Sequence, residues 1–149
     1  MELASPKFAG LAFLAPLAGC ATAESAAQSP IKVETLIQST SAWDATPYAR
    51  YPDTTPQLSV LRITIAPHTA LEWHSHPMPN AGYVLSGDLT LEETEGIRKH
   101  FVAGQAITET VNRIHRGVTG KAPVVVIVFY AGAPGLPLSQ PASELGSSR

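Results

Sequence analysis

Between Gln57 and Ile65 the apolar side chains fall at Leu58, Val60, Leu61, Ile63 and Ile65, with Arg62 and Thr64 between them. A spacing close to two predicts a β-strand that turns one face toward a core. Residues 31–37 carry β-branched positions and predict another strand, whereas residues 43–56, with three prolines and no apolar period, predict a loop. Residues 82–92 predict two short strands around Gly87-Asp88, a hairpin signal, and Glu93-Thr94-Glu95-Gly96 predicts a turn before a third strand from Ile97 to Val102. Ala103-Gly104-Gln105 is a further turn. The continuous apolar run Val124 to Tyr130 predicts a strand buried on both faces. Nothing shows a helical period over ten residues or more, so the expected class is all-β, a sandwich or barrel.

Composition changes this picture mainly at the N-terminus. The chain has 149 residues and a single cysteine, Cys20, which excludes an internal disulfide or a zinc site built on several thiolates. Residues 8–19 form a short apolar run after Lys7, placed where the core of an export signal belongs. The run ends in Leu17-Ala18-Gly19-Cys20, which resembles the lipobox of bacterial lipoproteins, whose cysteine is acylated and becomes the first mature residue. An ordinary secretory signal cut after Ala23 is the alternative. The expected organisation is therefore a lipoprotein signal peptide over 1–19, a flexible tether over 20–30, one β-domain over 31–131, and a loose tail over 132–149 with Leu136 and Leu138 as its candidate points of packing. Net charge is −2 with no basic stripe, which argues against a nucleic-acid partner. The body has no apolar stretch long enough to span a bilayer, so membrane attachment would be through a lipid on Cys20 at the periplasmic envelope, or absent if the protein is secreted in soluble form.

The candidate chemistry lies in Glu72-Trp73-His74-Ser75-His76-Pro77. Two positions apart on a strand, His74 and His76 project from the same face with Cα atoms about 6.5 Å apart, and their rings can converge on one ion. A third ligand must come from a neighbouring strand, and His115 opens one. His68 and His100 read as a turn residue and a solvated strand residue, and Glu72 as a substitute carboxylate or, more simply, a rim ion-pair partner. Glu109 lies near His115 in sequence, with nothing to fix its direction. Trp43, Tyr48 and Tyr51, in the long loop, would either close a pocket mouth or pack over a barrel end.

The stretch from His74 and His76 through Asn80 to Gly87 resembles the first motif of the cupin superfamily, an HxH followed by a glutamate and then a glycine; Gly104, Thr110, His115 and Thr119 resemble its second. The resemblance implies a small double-stranded β-helix, a jelly-roll barrel, with a divalent metal (Fe, Mn, Ni or Zn) inside. It carries His74, His76 and His115 over as ligands. It places Asn80 where the family has its glutamate ligand, and threonines where the second motif has proline and asparagine. Three neutral imidazoles leave the charge of a cation uncompensated, so an anionic ligand would be favoured. Two functions fit: a metal-dependent enzyme of dioxygenase or isomerase type acting on a small molecule, or a non-catalytic binder of a metal or small ligand. A homodimer is expected, because a small sandwich exposes sheet edges.

Overall fold

The computed structural model describes residues 31–145. The expectations for the export signal, Cys20 and the tether fall on residues 1–30 and lie outside the described residues. Nine strands form two antiparallel sheets. The first sheet has the order β1 (Gln57–Ile65), β8 (Val124–Gly132), β3 (Asn80–Ser86), β6 (Ala106–Thr108). The second has the order β5 (Arg98–Val102), β4 (Asp88–Glu93), β7 (His115–Thr119), β2 (His74–Ser75), β9 (Gln140–Pro141). A four-residue helix, α1 (Ala142–Leu145), follows. This is the expected jelly-roll architecture. Among the described residues no helix is long and apolar enough to cross a membrane.

β1 has the limits its alternation predicts, and pairs with β8 from Gln57↔Gly132 to Ile65↔Val124. The core lies between the sheets, where Val84, Ile107 and Val124 are fully buried and Leu89, Leu91, Phe101, Val126 and Val128 nearly so. Each such aliphatic side chain contributes about 1.5–3 kcal/mol on burial. β8 is not buried on both faces: Val124, Val126, Val128 and Tyr130 point inward, whereas Val125 and Ile127 are half-buried and Phe129 is exposed. The first sheet thus covers the core on one side only, leaving Leu58, Val60 and Phe129 on the outside.

Gly87 does not close a hairpin. β3 and β4 belong to different sheets, and the chain turns a corner at Gly87, whose φ is 76°. A Cβ there would collide with the Pro123 carbonyl oxygen and press within 3.1 Å of Val124. Gly87→Ala should therefore cost on the order of 3 kcal/mol, from the left-handed backbone together with the clash. Denaturant unfolding would check this, and a loss under 1 kcal/mol would contradict it. The real hairpin is one strand later: β4 and β5 pair from Glu92↔Arg98 to Asp88↔Val102 across a turn at Gly96, whose φ is 88°.

Two further expectations are corrected. Residues 31–37 form no strand; β-branched side chains favour a strand only where a ladder partner accepts it, and this segment joins neither sheet. Residues 132–145 are tied down rather than loose. Gln140 pairs with Ser75 and Pro141 with His74, Ala142 N–H donates to the Trp73 carbonyl, and Leu136 and Leu138 pack against the core.

Candidate metal centre

β2 and β7 are neighbours, and His74 and His115 are direct cross-strand partners. His76 follows β2 by one residue, and the three rings face one another with centroids 4.7 to 5.1 Å apart. One ring nitrogen from each lies within 4.8 Å of the others. The backbone determines which nitrogen is free. His74 Nδ1 is 2.7 Å from the Glu72 carbonyl, His76 Nδ1 is 2.7 Å from the Leu138 carbonyl, and His115 Nδ1 is 3.0 Å from the Arg113 carbonyl, with Thr110 Oγ1 at 2.9 Å. A carbonyl can only accept, so each Nδ1 carries the proton and each Nε2 presents a lone pair. His115 Nε2 is buried without a hydrogen-bond partner. Three preoriented imidazole lone pairs, each backed by a carbonyl, form a donor set that fits a divalent cation.

The rings share a pocket of about 70 Å³ with Asn80, Glu109 and Tyr130 and an apolar wall that includes Ile63, Leu91 and Val128. Asn80 stands where the motif places it. Its Nδ2 reaches the Met78 carbonyl at 3.4 Å, and its Oδ1 is buried without a partner. Glu109 points inward: its Oε2 is 3.3 Å from His115 Nε2. The Ile107 side chain, two residues earlier, is fully buried, so Glu109 continues the inward face of β6, a signal present in the chain but hidden by the shortness of that strand. Tyr130 was also hidden in the sequence. It is the fourth inward position of β8, and its ring lies 5.6 Å from that of His76.

The other candidates lie elsewhere. Glu72 is exposed and serves through its carbonyl; His68 occupies a left-handed turn with φ of 51°; His100 is exposed on β5 beside Thr90. Trp43 is buried in the core, Tyr48 donates to the Glu109 carbonyl at 2.7 Å, and Tyr51 is exposed. Tyr48 and Tyr51 line two surface grooves of about 460 and 590 Å³, neither of which includes a histidine of the cluster.

Burial sets the protonation of the site. It lowers the pKa of His74 and His115 and takes His76 down to about 3, so the folded rings stay neutral where unfolded ones, with a pKa near 6.5, take up protons. Stability from the histidines is full above about pH 6.5 and falls on acidification. Glu109 acts in the opposite sense. Burial raises its carboxyl from 4.5 to about 7, so the stability it contributes is full below 4.5 and is lost as pH rises through 7. Three histidines outweigh one carboxyl, so metal-free protein should gain stability from pH 5 to about 7.5 and change little above that. Thermal unfolding in chelator at pH 5, 6.5 and 8 checks this, and a midpoint that falls between pH 5 and 6.5 would contradict it.

The cupin domain family model matches residues 61–130, which include His74, His76 and His115. The chain carries a cupin domain. Solved structures agree at the level of fold. The DMSP lyase DddQ from Ruegeria pomeroyi superposes on the cupin with a TM-score of 0.52 at 14% identity, covering 66% of this chain and 47% of that one. The crystal structures of the DMSP lyases RdDddP and RnDddQII give 0.51 at 21%, covering 57% and 44%. The polyketide cyclase RemF from Streptomyces resistomycificus gives 0.50 at 20%, covering 60% and 63%. The cupin spans about half the length of the lyases and under two thirds of the cyclase. No curated protein matches the sequence.

Proposed function

We propose that this cupin holds a divalent metal ion, Fe, Mn, Ni or Zn, on His74, His76 and His115 and acts as an enzyme on a small molecule. The observation that carries the reading is that all three Nδ1 protons are committed to backbone carbonyls while the free nitrogens face one cavity. When bound, such an ion supplies Lewis-acid polarisation of a coordinated oxygen or, if it is iron, oxidative chemistry. The chain supplies the rest. Ile63, Leu91 and Val128 give the pocket an apolar wall, and Glu109 turns a carboxylate toward the histidines, with Oε2 3.3 Å from His115 Nε2. The lyases and the cyclase among the fold neighbours are enzymes, in keeping with a barrel that hosts several chemistries.

The size of the cavity favours a second reading. About 70 Å³ holds a few waters at roughly 30 Å³ each, far below the roughly 300–1,000 Å³ of ordinary ligand pockets. A non-catalytic binder of a metal or very small ligand fits that volume directly. Reconstitution with each metal, followed by oxygen-uptake and product screening, separates the two. Turnover that disappears in His76→Ala supports the enzyme, and ligand-dependent thermal shifts without product in any metal form support the binder.

Export as a lipoprotein of the periplasmic envelope is part of the proposal, supported by Leu17-Ala18-Gly19-Cys20 alone. Metabolic labelling with an alkyne fatty acid should tag the protein and fail to tag Cys20→Ala; an untagged but exported wild-type chain would favour a soluble secreted form. A homodimer through the first sheet is supported by exposed Leu58, Val60 and Phe129. Light scattering at micromolar concentration should give a dimer that Val60→Glu dissociates, and a wild-type monomer would remove the proposal.

A further inference from the structure

We propose that Glu109 supplies a carboxylate ligand to the metal centre, in place of the glutamate that the family's first motif has at the position of Asn80. The inference rests on the metal reading above and adds a ligand that neither motif assigns. Its first support is distance. Glu109 Oε2 lies 3.3 Å from His115 Nε2. Adjacent donors around a cation at about 2.1 Å are separated by roughly 3.0 Å in an octahedral site and 3.4 Å in a tetrahedral one. The pair is at coordination spacing, whereas Glu109 stands outside the group of three rings whose donors lie within 4.8 Å of one another, so its side chain must close toward them when the ion binds.

The second support is the absence of any other partner for either atom. Both are buried without a hydrogen-bond partner. His115 has committed its only proton to the Arg113 carbonyl, so Nε2 cannot donate to the carboxylate. With Glu109 ionised, two acceptor atoms face each other among buried groups, an arrangement that is costly unless a cation, or a proton held on Oε2, lies between them.

The third support is that the backbone holds Glu109 in place. Its N–H donates to the Asn80 carbonyl at 3.1 Å, and its own carbonyl accepts from Tyr48 Oη at 2.7 Å. The same contact makes residues 80 and 109 neighbours. A carboxylate at both would bring two negative charges together in a buried site, a costly pairing. An amide at 80 opposite a carboxylate at 109 keeps one negative charge beside three neutral rings, delivered from β6 instead of β3.

Cobalt(II) and zinc(II) titrations of wild type, Glu109→Gln, Glu109→Asp and the double variant Asn80→Glu with Glu109→Gln test this without any assay of turnover. The Gln variant should bind metal 10- to 100-fold more weakly and show an altered cobalt visible spectrum. The Asp variant, which keeps the charge but retracts the oxygen by one methylene, should also weaken binding. The double variant should recover much of the lost affinity. Wild type that binds neither metal would defeat the three-histidine reading itself. Wild type that binds tightly, with Gln and Asp variants within threefold of it and spectrally unchanged, would overturn the role of Glu109 alone. Loss in Gln with full retention in Asp would also overturn it, by assigning the carboxylate to charge compensation at a distance.

Discussion

Replacing His115 with alanine should lower metal affinity at least a thousandfold, the largest effect expected of any single change in this cupin. The ring is almost fully buried, is the cross-strand partner of His74, and stands closest to Glu109. Its removal leaves two imidazoles from one short segment, with no donor from β7 to close the site. The loss should be specific. In chelator, the cavity left by an imidazole costs about 2–4 kcal/mol, whereas with metal present the variant also forgoes the stabilisation that a ligand confers on the folded state. Equilibrium competition with a chromophoric chelator measures the first effect and thermal unfolding with and without metal the second. Affinity retained within tenfold would mean that the ion sits elsewhere.

Arg113→Ala should destabilise the protein by about 3 kcal/mol even without metal. Arg113 bridges Glu93 through two nitrogens, at 3.2 and 2.6 Å, and Asp44 at 3.1 Å, and both carboxylates are almost fully buried, at 2% and 1% side-chain exposure. Removing the guanidinium leaves buried negative charge unpaired. For Asp44, burial raises the carboxyl pKa, but the hydrogen bonds it accepts from Thr46 and the charge of Arg113 outweigh it and the net shift is downward. The stability Asp44 contributes is therefore present above its unfolded value near 3.8 and lost as pH falls through the lower folded one. Arg113→Lys, which keeps a charge but not the planar fork, should recover only part of the loss. Because the Arg113 carbonyl receives the His115 proton, metal affinity should fall with stability in the alanine variant. Denaturant unfolding with metal titration checks both, and an unchanged midpoint would contradict the role assigned to this ion-pair group.

How far the residues announced the fold differs from element to element, for physical reasons. β1 was legible to its limits through the alternation of Leu61, Ile63 and Ile65 with Arg62 and Thr64, but Leu58 and Val60, read as part of the same inward face, lie on the outer one. The His74, His76, His115 cluster was legible because spacing of two sets a common face and the motif named the third partner. Gly87-Asp88 misled because a positive-φ glycine serves a tight hairpin and a corner between sheets equally well; what separates them is the crowding of Gly87 against Pro123 and Val124, residues distant in sequence. The C-terminal segment looked loose since Gly, Pro and Ser dominate it, yet Leu138 contributes through a carbonyl that any residue possesses. Glu109 needed only the register of Ile107 to be oriented, but a three-residue strand offers too little pattern for that register to be read.

The brevity of β2 has a dynamic consequence. Two residues joined to β7 only at His74↔His115 and to β9 at two positions have little ladder of their own, so an ion shared by His74 and His115 would be the fastener that holds this part of the second sheet shut. Amide protons around 74–76 and 138–142 would then exchange slowly in the loaded protein and quickly after chelation, while the nine-pair seam between β1 and β8 keeps its protection throughout. The opening of the barrel would be confined to the side from which an ion or a small molecule enters.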